Sequence, residues 1–182
     1  MKIGLSQRIL FHKGRAYDAT EHGWYSYLSQ HTLTFVANNI NQDFEQIASD
    51  LDCLILTGGD DSSIRRITET KLAGCMLQCN KPVIGICHGA LLLTDLLGGT
   101  IELINDHHSC DHPISYQNKE VTVNSYHNLS IKSIHSSATL LAKDNAGNCE
   151  AWIDGKLAGV MWHPERMSIP WLPTEINNLL SQ

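Results

Sequence analysis

Two continuous apolar runs, each ending in a loop that contains glycine, are the feature that most restricts the fold of this chain. The runs are DCLILTGG (52–59) and KPVIGIC (81–87), and a segment with helical spacing of apolar residues (62–80) separates them. An apolar run without polar alternation is typical of a strand that is covered on both faces. The order strand, helix, strand therefore predicts a parallel sheet with helices on both sides, whose reactive groups lie at the carboxyl ends of its strands.

The rest of the chain continues this alternation and becomes rich in strands towards its end. Further strands are predicted over 2–6, 32–37, 100–104, 119–125, 138–144, 149–154 and 156–162, with a hairpin turn at the DG of 154–155. Further helices are predicted over 20–31, 41–49, 88–99 and 172–180. Because the 182 residues contain no internal repeat or linker, a single domain over 1–182 is expected.

Composition and charge exclude several classes of function. The formal net charge of -6 argues against a nucleic-acid partner. No apolar segment approaches the roughly 20 residues that a membrane span needs, and the start of the chain is too short in apolar residues for a signal peptide. A cytoplasmic protein with reduced thiols is expected, and Cys53, Cys75 and Cys79 are interpreted as packing residues.

The pentapeptide GICHG (85–89) fits the pattern in which a nucleophile lies between two glycines at a sharp strand-to-helix turn. Such a turn strains the backbone of Cys87 and leaves no room for side chains at Gly85 and Gly89. The positive end of the following helix favours a thiolate, and the N–H of His88 is placed to stabilise an oxyanion. A buried cysteine in an ordinary glycine-rich turn is the alternative.

The segment MWHPE (161–165) supplies a candidate base. His163 and Glu165 project to the same side of an extended segment, and Pro164 disfavours a helix at His163. A histidine oriented by a carboxylate is what a thiol nucleophile requires. The pattern predicts that His163 meets Cys87 at the edge of the sheet, whereas a surface strand end is the alternative.

A glycine pair, Gly58 and Gly59, ends the run LILTGGDD (54–61). Paired glycines allow backbone N–H groups to point at an anion, although a plain tight turn uses the same residues.

A histidine-rich segment, NDHHSCDHP (105–113), contains His107, His108, Cys110 and His112. Its spacing matches no motif of paired zinc ligands, so a loop near the rim of the active site is favoured over a metal site, and no metal is expected.

The segments TGG, GICHG and HPE, in this order, resemble the class I glutamine amidotransferase-like superfamily. The segment VNSYHN (123–128) is similar to the γ-glutamyl hydrolase branch, peptidase family C26. The resemblance implies a flavodoxin-like three-layer α/β/α sandwich with a mostly parallel central sheet. It also implies a hydrolase that cleaves a γ-glutamyl amide bond and releases glutamate and an amine, without a cofactor.

The resemblance assigns a role to each matched residue. Cys87 would be the nucleophile, His163 the base and then the acid, and Glu165 the group that orients it. The N–H groups of Gly59 and His88 would form the oxyanion hole. The implied substrate-binding residues are Gly58, Arg8, Ser125, Tyr126 and His127.

One departure from the family pattern and one further resemblance affect the substrate. Leu91 stands where members that hydrolyse glutamine often carry glutamine. The segments IGLSQR and YDATEHGW resemble the subset that hydrolyses γ-glutamyl-CDP-amidate for phosphoramidate decoration of bacterial surface (capsule) polysaccharides. That subset implies a phosphate contact for Arg8, for which a structural salt bridge is the alternative. It also implies nucleotide contacts for Tyr17, Asp18 or Trp24.

Two other functions are open to the same residues. The first is a glutaminase subunit that supplies ammonia to a partner synthetase, and Leu91 argues against it. The second is a non-enzymatic thiol sensor, which would not need the complete Cys–His–Glu set. The resemblance leaves a small-molecule γ-glutamyl substrate as the main partner, with a homodimer or a synthetase as further partners.

Overall fold

A computed structural model of the protein describes residues 1–104 and 108–181. Its strands are β1 (Lys2–Ser6), β2 (Arg8–His12), β3 (Arg15–Ala19), β4 (Thr32–Val36), β5 (Cys53–Leu56), β6 (Val83–Ile86), β7 (Thr100–Leu103), β8 (His108–Tyr116), β9 (Lys119–Tyr126), β10 (Leu129–Ser133), β11 (Thr139–Asp144), β12 (Cys149–Asp154) and β13 (Leu157–Val160). Its helices are α1 (Gly23–Tyr27), α2 (Phe44–Asp50), α3 (Ser63–Gln78), α4 (His88–Leu96) and α5 (Thr174–Asn177).

The main sheet has a parallel half and an antiparallel half. The parallel half has the order β4-β1-β5-β6-β13, which is the 2-1-3-4-5 order of flavodoxin-like folds. The antiparallel half continues from β13 through β12, β11 and β8 to β9, while β10 pairs with both β12 and β7. The predicted fold class is therefore confirmed, with the parallel strands at its core and an antiparallel extension on one side.

Apolar residues alternate between two cores, one on each face of the parallel half. In β5, Cys53 and Ile55 belong to the core beneath α1 and α5, whereas Leu54 and Leu56 belong to the core beneath α2, α3 and α4. All four side chains are at most 2% exposed. Coverage on both faces explains why the sequence of this strand is apolar throughout. The longest described helix, α3, has 16 residues, and none of the described helices could span a membrane.

Two predictions of secondary structure were wrong, and the hairpin over 8–19 was not predicted. This segment forms a separate antiparallel hairpin, β2–β3, which is largely exposed and therefore carries no apolar pattern. The helix expected over 20–31 is limited to α1. A loop was expected over 105–113, but from His108 onwards the chain forms the strand β8, which pairs with β9 and with β11. The polar residues of this segment do not show the apolar pattern from which a strand is predicted. His107 lies outside the described residues, as does the side chain of His108.

The start of α4 lies in direct backbone contact with β5 and β6. A Cβ atom on Gly85 would lie 2.4 Å from the carbonyl oxygen of Gly89. A Cβ atom on Gly89 would lie 2.3 Å from the carbonyl oxygen of Leu56. Since carbon and oxygen cannot approach so closely, both positions require glycine, as the pentapeptide predicts.

Replacing Gly89 by alanine should therefore lower the free energy of unfolding by roughly 1–3 kcal/mol, because the added methyl group forces the backbone of α4 away from β5. Chemical denaturation followed by circular dichroism measures the change. The matched control is Gly74→Ala in α3, where a Cβ atom meets nothing within 4 Å. The control should be stabilised by up to about 1 kcal/mol from helix propensity. Equal effects at the two positions would contradict the steric argument.

Candidate active site

Three loops that leave neighbouring parallel strands meet at one edge of the sheet. Gly58 and Gly59 follow β5, Cys87 follows β6, and His163 follows β13. The strands β6 and β13 are in parallel register with Ile86 beside Val160, and the N–H of Cys87 donates a hydrogen bond of 2.7 Å to the carbonyl of Val160. The fold thus places the predicted nucleophile and the predicted base at the carboxyl ends of adjacent strands.

The backbone of Cys87 is strained. Its φ of 50° and ψ of −102° lie outside the regions that side chains other than glycine normally occupy. Cys87 directly precedes the first residue of α4, and its side chain is buried but reaches the wall of a surface cleft. The sharp strand-to-helix turn expected from GICHG is present.

His163 is held on every side. Its Nδ1 lies 2.6 Å from Oε1 of Glu165, and both residues are buried. Asn124 clamps the backbone of His163, because its amide group donates to the His163 carbonyl at 2.9 Å and accepts from the His163 N–H at 2.8 Å. A Cβ atom on Gly58 would lie 2.3 Å from Cε1 of His163, so the ring packs directly on the glycine backbone. When Nδ1 of His163 donates its proton to Glu165 in this hydrogen bond, Nε2 carries the lone pair and is the basic atom.

Among the described residues no hydrogen bond joins the sulfur of Cys87 to the ring of His163. Hydrogen bonds of this kind often tighten only when a substrate is bound. The rings of His163 and Tyr126 lie edge to face, with 5.5 Å between their centroids, and Tyr126 forms part of the cleft wall.

A buried ion pair supports the loop after β5. Arg65 and Glu69 are fully buried on α3, with 2.9 Å between Nε and Oε1. Arg65 also donates to the carbonyls of Thr57, Gly58 and Asp60, which fixes the course of the glycine loop. This pair was not predicted, although the i,i+4 spacing of opposite charges within a helical pattern is a usable signal for it.

Glu69 also reaches the elbow. Its Oε2 lies 3.1 Å from Nε2 of His88, and its Oε1 accepts a hydrogen bond of 2.6 Å from Ser6. Burial alone would raise the pKa of Glu69, but the hydrogen bond from His88 and the charge of Arg65 outweigh burial and hold the pKa below its usual range. An ionised Glu69 thus links the glycine loop to the first residue of α4.

The cleft at this edge has a volume of about 290 Å³. It is lined by Gly59, Asp60, Asp61, Cys87, His88, Leu91, Tyr126, His127, Asn128 and Leu129. Of the predicted substrate-binding residues, Tyr126 and His127 lie on its wall, while Gly58 lies beneath His163. Ser125 is completely buried in β9 and does not form part of the cleft wall.

Arg8 is engaged in an ion pair. Its guanidinium group contacts Glu21, and Arg166 contacts the same carboxylate at 2.7 and 2.8 Å. Burial alone would raise the pKa of Glu21, but the hydrogen bonds and charges of Arg166 and Arg8 hold it below its usual range. Two guanidinium groups share the Glu21 carboxylate, and Nε of Arg166 also lies 3.9 Å from Oε1 of Glu165, so two carboxylates offset the two positive charges. Arg166 also covers the face of the Tyr126 ring, 4.5 Å from its centroid.

Trp24 does not reach the cleft. It is 2% exposed and packs in the core beneath α1, so the nucleotide contact suggested for it is wrong. Burial of its apolar surface in the core stabilises the fold more than a solvent-exposed position would. Tyr17 lies exposed on β3, and Asp18 accepts hydrogen bonds from Asn38.

The expected thiolate at Cys87 is not the resting state. Burial raises the pKa of the Cys87 thiol to about 11. The hydrogen bond from the N–H of His88 and the charge of Arg166 act in the opposite direction and are outweighed. The thiol therefore needs a base at neutral pH.

The fold and this edge of the sheet define an α/β protein with a cysteine at a strained elbow, beside a buried histidine–carboxylate pair. The profile of the family described as glutamine amidotransferase class-I matches residues 16–181. The chain is 26% identical to the glutamine amidotransferase-like protein YvdE of Lactococcus lactis, over 74% of this chain and 75% of that protein. It is 27% identical to a subunit of the glutamine-hydrolysing GMP synthase of Haloquadratum walsbyi, over 79% of this chain and 85% of that protein.

Solved structures show the same fold. A structure assigned to a GMP synthase subunit of Thermoplasma acidophilum aligns with a TM-score of 0.74 at 17% identity, covering 100% of this chain and 90% of that one. A glutamine amidotransferase of Thermotoga maritima aligns with a TM-score of 0.70 at 15% identity, covering 90% and 76%. The protein therefore belongs to the class I glutamine amidotransferase family. Membership indicates, at this general level, a hydrolase of carbon–nitrogen amide bonds.

The raised pKa of Cys87 predicts a specific pH dependence. Alkylation of Cys87 by iodoacetamide should be slow at pH 7 and should rise about tenfold per pH unit until the pH nears 11, because only the thiolate reacts. Mass spectrometry of the peptide that contains Cys87 measures the rate, and the peptide that contains exposed Cys79 reports the reagent's action on an accessible thiol. A plateau of the Cys87 rate below pH 8 would show a preformed thiolate instead.

Proposed function

We propose that the protein hydrolyses a γ-glutamyl amide bond, with Cys87 as nucleophile, His163 as general base and acid, and Glu165 as the group that orients His163. The observation that carries this proposal is the buried His163–Glu165 contact of 2.6 Å at the strand end beside the strained Cys87. Because the pKa of the Cys87 thiol is raised, a base must remove its proton before the sulfur can attack. The thiol sensor is disfavoured because a sensor would not need a clamped, oriented imidazole.

The reaction proceeds in two halves. Nε2 of His163 takes the proton from the Cys87 sulfur, which attacks the γ-carbonyl carbon and forms a tetrahedral oxyanion. The N–H groups of Gly59 and His88 stabilise this oxyanion. His163 then gives the proton to the leaving nitrogen, and the C–N bond breaks to leave a thioester. Water, deprotonated by the same ring, attacks the thioester, and glutamate and the free thiol are released.

Glu69 connects the side chains of Arg65 and His88, which lie beside the two proposed oxyanion donors, the N–H groups of Gly59 and His88. Arg65 holds the carbonyls around Gly59, while His88 contacts the same carboxylate. Fixed donors cost no reorganisation when negative charge develops, which is the main source of oxyanion-hole catalysis.

For the leaving group we propose a phosphoramidate nucleotide, CDP-amidate, as the γ-glutamyl-CDP-amidate subset of the family implies. Leu91 lies on the cleft wall in place of a polar side chain that would hold free glutamine. Arg166 covers the ring of Tyr126 on the cleft wall, and the partly exposed guanidinium groups of Arg166 and Arg8 offer hydrogen-bond donors for a diphosphate.

The second candidate is a glutaminase that supplies ammonia to a partner synthetase. The similarity to a subunit of a glutamine-hydrolysing GMP synthase, over 85% of its length, favours this candidate. In this case the protein would serve as the amidotransferase component of a complex.

Variants of the three residues test the mechanism. Cys87→Ala and His163→Ala should each lower kcat by at least about 10³-fold, and Glu165→Gln should cost about 10- to 100-fold less than either. Release of glutamate from the best substrate of the panel below measures the rates. Cys79→Ala and His135→Ala, at exposed positions, are the matched controls. Full activity of Cys87→Ala would refute the assignment.

A substrate panel tests the leaving group. Glutamate release is measured from γ-glutamyl-CDP-amidate, simple γ-glutamyl amines and glutamine. The proposal expects kcat/KM for the nucleotide compound to exceed the others by at least about 10²-fold, because only this compound can use the arginine cluster. Equal rates on all γ-glutamyl amides would retire the nucleotide assignment. Turnover of glutamine that rises when a synthetase is added would establish the second candidate.

A further inference from the structure

A cluster of three metal-ligating side chains, none of them part of the Cys87–His163–Glu165 set, lies in the antiparallel half of the sheet, and one of them, His127, also lines the cleft. His112 comes from β8, His127 follows β9, and Glu150 comes from β12. Each offers one ligand atom, and the three atoms lie within 4.8 Å of one another. Nε2 of His112 lies 3.8 Å from Oε2 of Glu150. We propose that His112, His127 and Glu150 bind a divalent first-row transition metal ion, with Zn²⁺ as the principal candidate.

Burial supports a ligand at this point. The side chain of Glu150 is 1% exposed and that of His112 is 12% exposed, while His127 is 4% exposed overall. No donor among the described residues lies within hydrogen-bond distance of Glu150 Oε2. A metal ion coordinated by the two imidazoles would give this buried carboxyl oxygen the partner that the described residues do not supply.

The hydrogen bond of His127 selects the atom that can bind a metal. Its Nδ1 lies 2.8 Å from the carbonyl oxygen of Leu129, which can only accept, so the proton resides on Nδ1. Nε2 therefore carries the lone pair. Histidines that bind metal ions in proteins are usually fixed in this way by a backbone carbonyl or a carboxylate.

A β-bulge places Glu150 in the cluster. The residues of β12 on either side of it pair with consecutive residues of β11, since Ala151 lies opposite Ala142 and Cys149 opposite Lys143. Glu150 is thus the extra residue of the bulge. Bulges re-aim a side chain, and they recur next to functional sites.

The donor set decides the kind of metal. Two imidazoles and one carboxylate form the His₂Glu set of known zinc sites, and the same set also suits Fe²⁺ and its neighbours. Mg²⁺ and Ca²⁺ prefer oxygen ligands alone. Three protein ligands leave a fourth position of a tetrahedral ion for water. The spacing within 105–113 gives no sign of this site, because two of the three ligands come from other strands.

Metal binding to the full-length protein tests the proposal. The apo protein, prepared with a chelator, is titrated with Zn²⁺, and with Co²⁺ as a spectroscopic probe. We expect one equivalent to remain after gel filtration, a higher Tm in the presence of Zn²⁺, and a visible Co²⁺ spectrum without the charge-transfer band of a thiolate ligand. That last feature separates the site from Cys87, which would bind cobalt through sulfur.

Matched variants locate the metal. His112→Ala and Glu150→Gln should weaken Zn²⁺ binding by about 100-fold or more, whereas the exposed positions His12→Ala and Glu120→Gln should leave it unchanged. Failure of the wild-type protein to retain Zn²⁺, Co²⁺, Mn²⁺, Ni²⁺ or Fe²⁺ would overturn the proposal, whether or not the variants fold. Binding that survives in His112→Ala and Glu150→Gln, or that is lost only in Cys87→Ser, would overturn it as well.

Discussion

The backbone of α4 lies against β5 and β6 with no space for a side chain between them. Gly85 touches the carbonyl of Gly89, and Gly89 touches the carbonyl of Leu56. This contact forces the chain to turn within one residue, and Cys87 takes the strained conformation as a result. The position of the sulfur, the direction of the His88 N–H and the start of α4 are all consequences of one steric limit.

The electrostatics of the site place opposing demands on this sulfur. The N-terminus of α4 and the charge of Arg166 favour a thiolate, whereas burial favours the thiol and prevails. A buried thiol is protected from oxidation and stray alkylation, because the thiolate is the reactive form. In the proposed mechanism the protonated resting state requires the His163–Glu165 pair, since the nucleophile is then generated only where a substrate can accept it.

The parallel half and the elbow could be predicted from sequence because each residue there has one dominant constraint. Burial on both faces makes β5 and β6 apolar, and close contact restricts Gly85 and Gly89 to glycine. The clamp by Asn124, the Arg65–Glu69 pair and the strand β8 were missed, because polar residues give no periodic signal when their partners are distant in sequence. The state of Cys87 was missed because the helix end is visible in sequence whereas the degree of burial is not.

Residues from both halves of the sheet line the cleft. The proposed reacting groups, Cys87 and His163, lie on loops of the parallel half, whereas the wall from Tyr126 to Leu129 belongs to the antiparallel half. Among the described strands, the two halves of the sheet share only the junction between β13 and β12. Mutations in the outer strands can therefore reshape the opposite wall while the backbone around Cys87 stays unchanged, so the ligand preference of this scaffold can diverge without any change at the elbow.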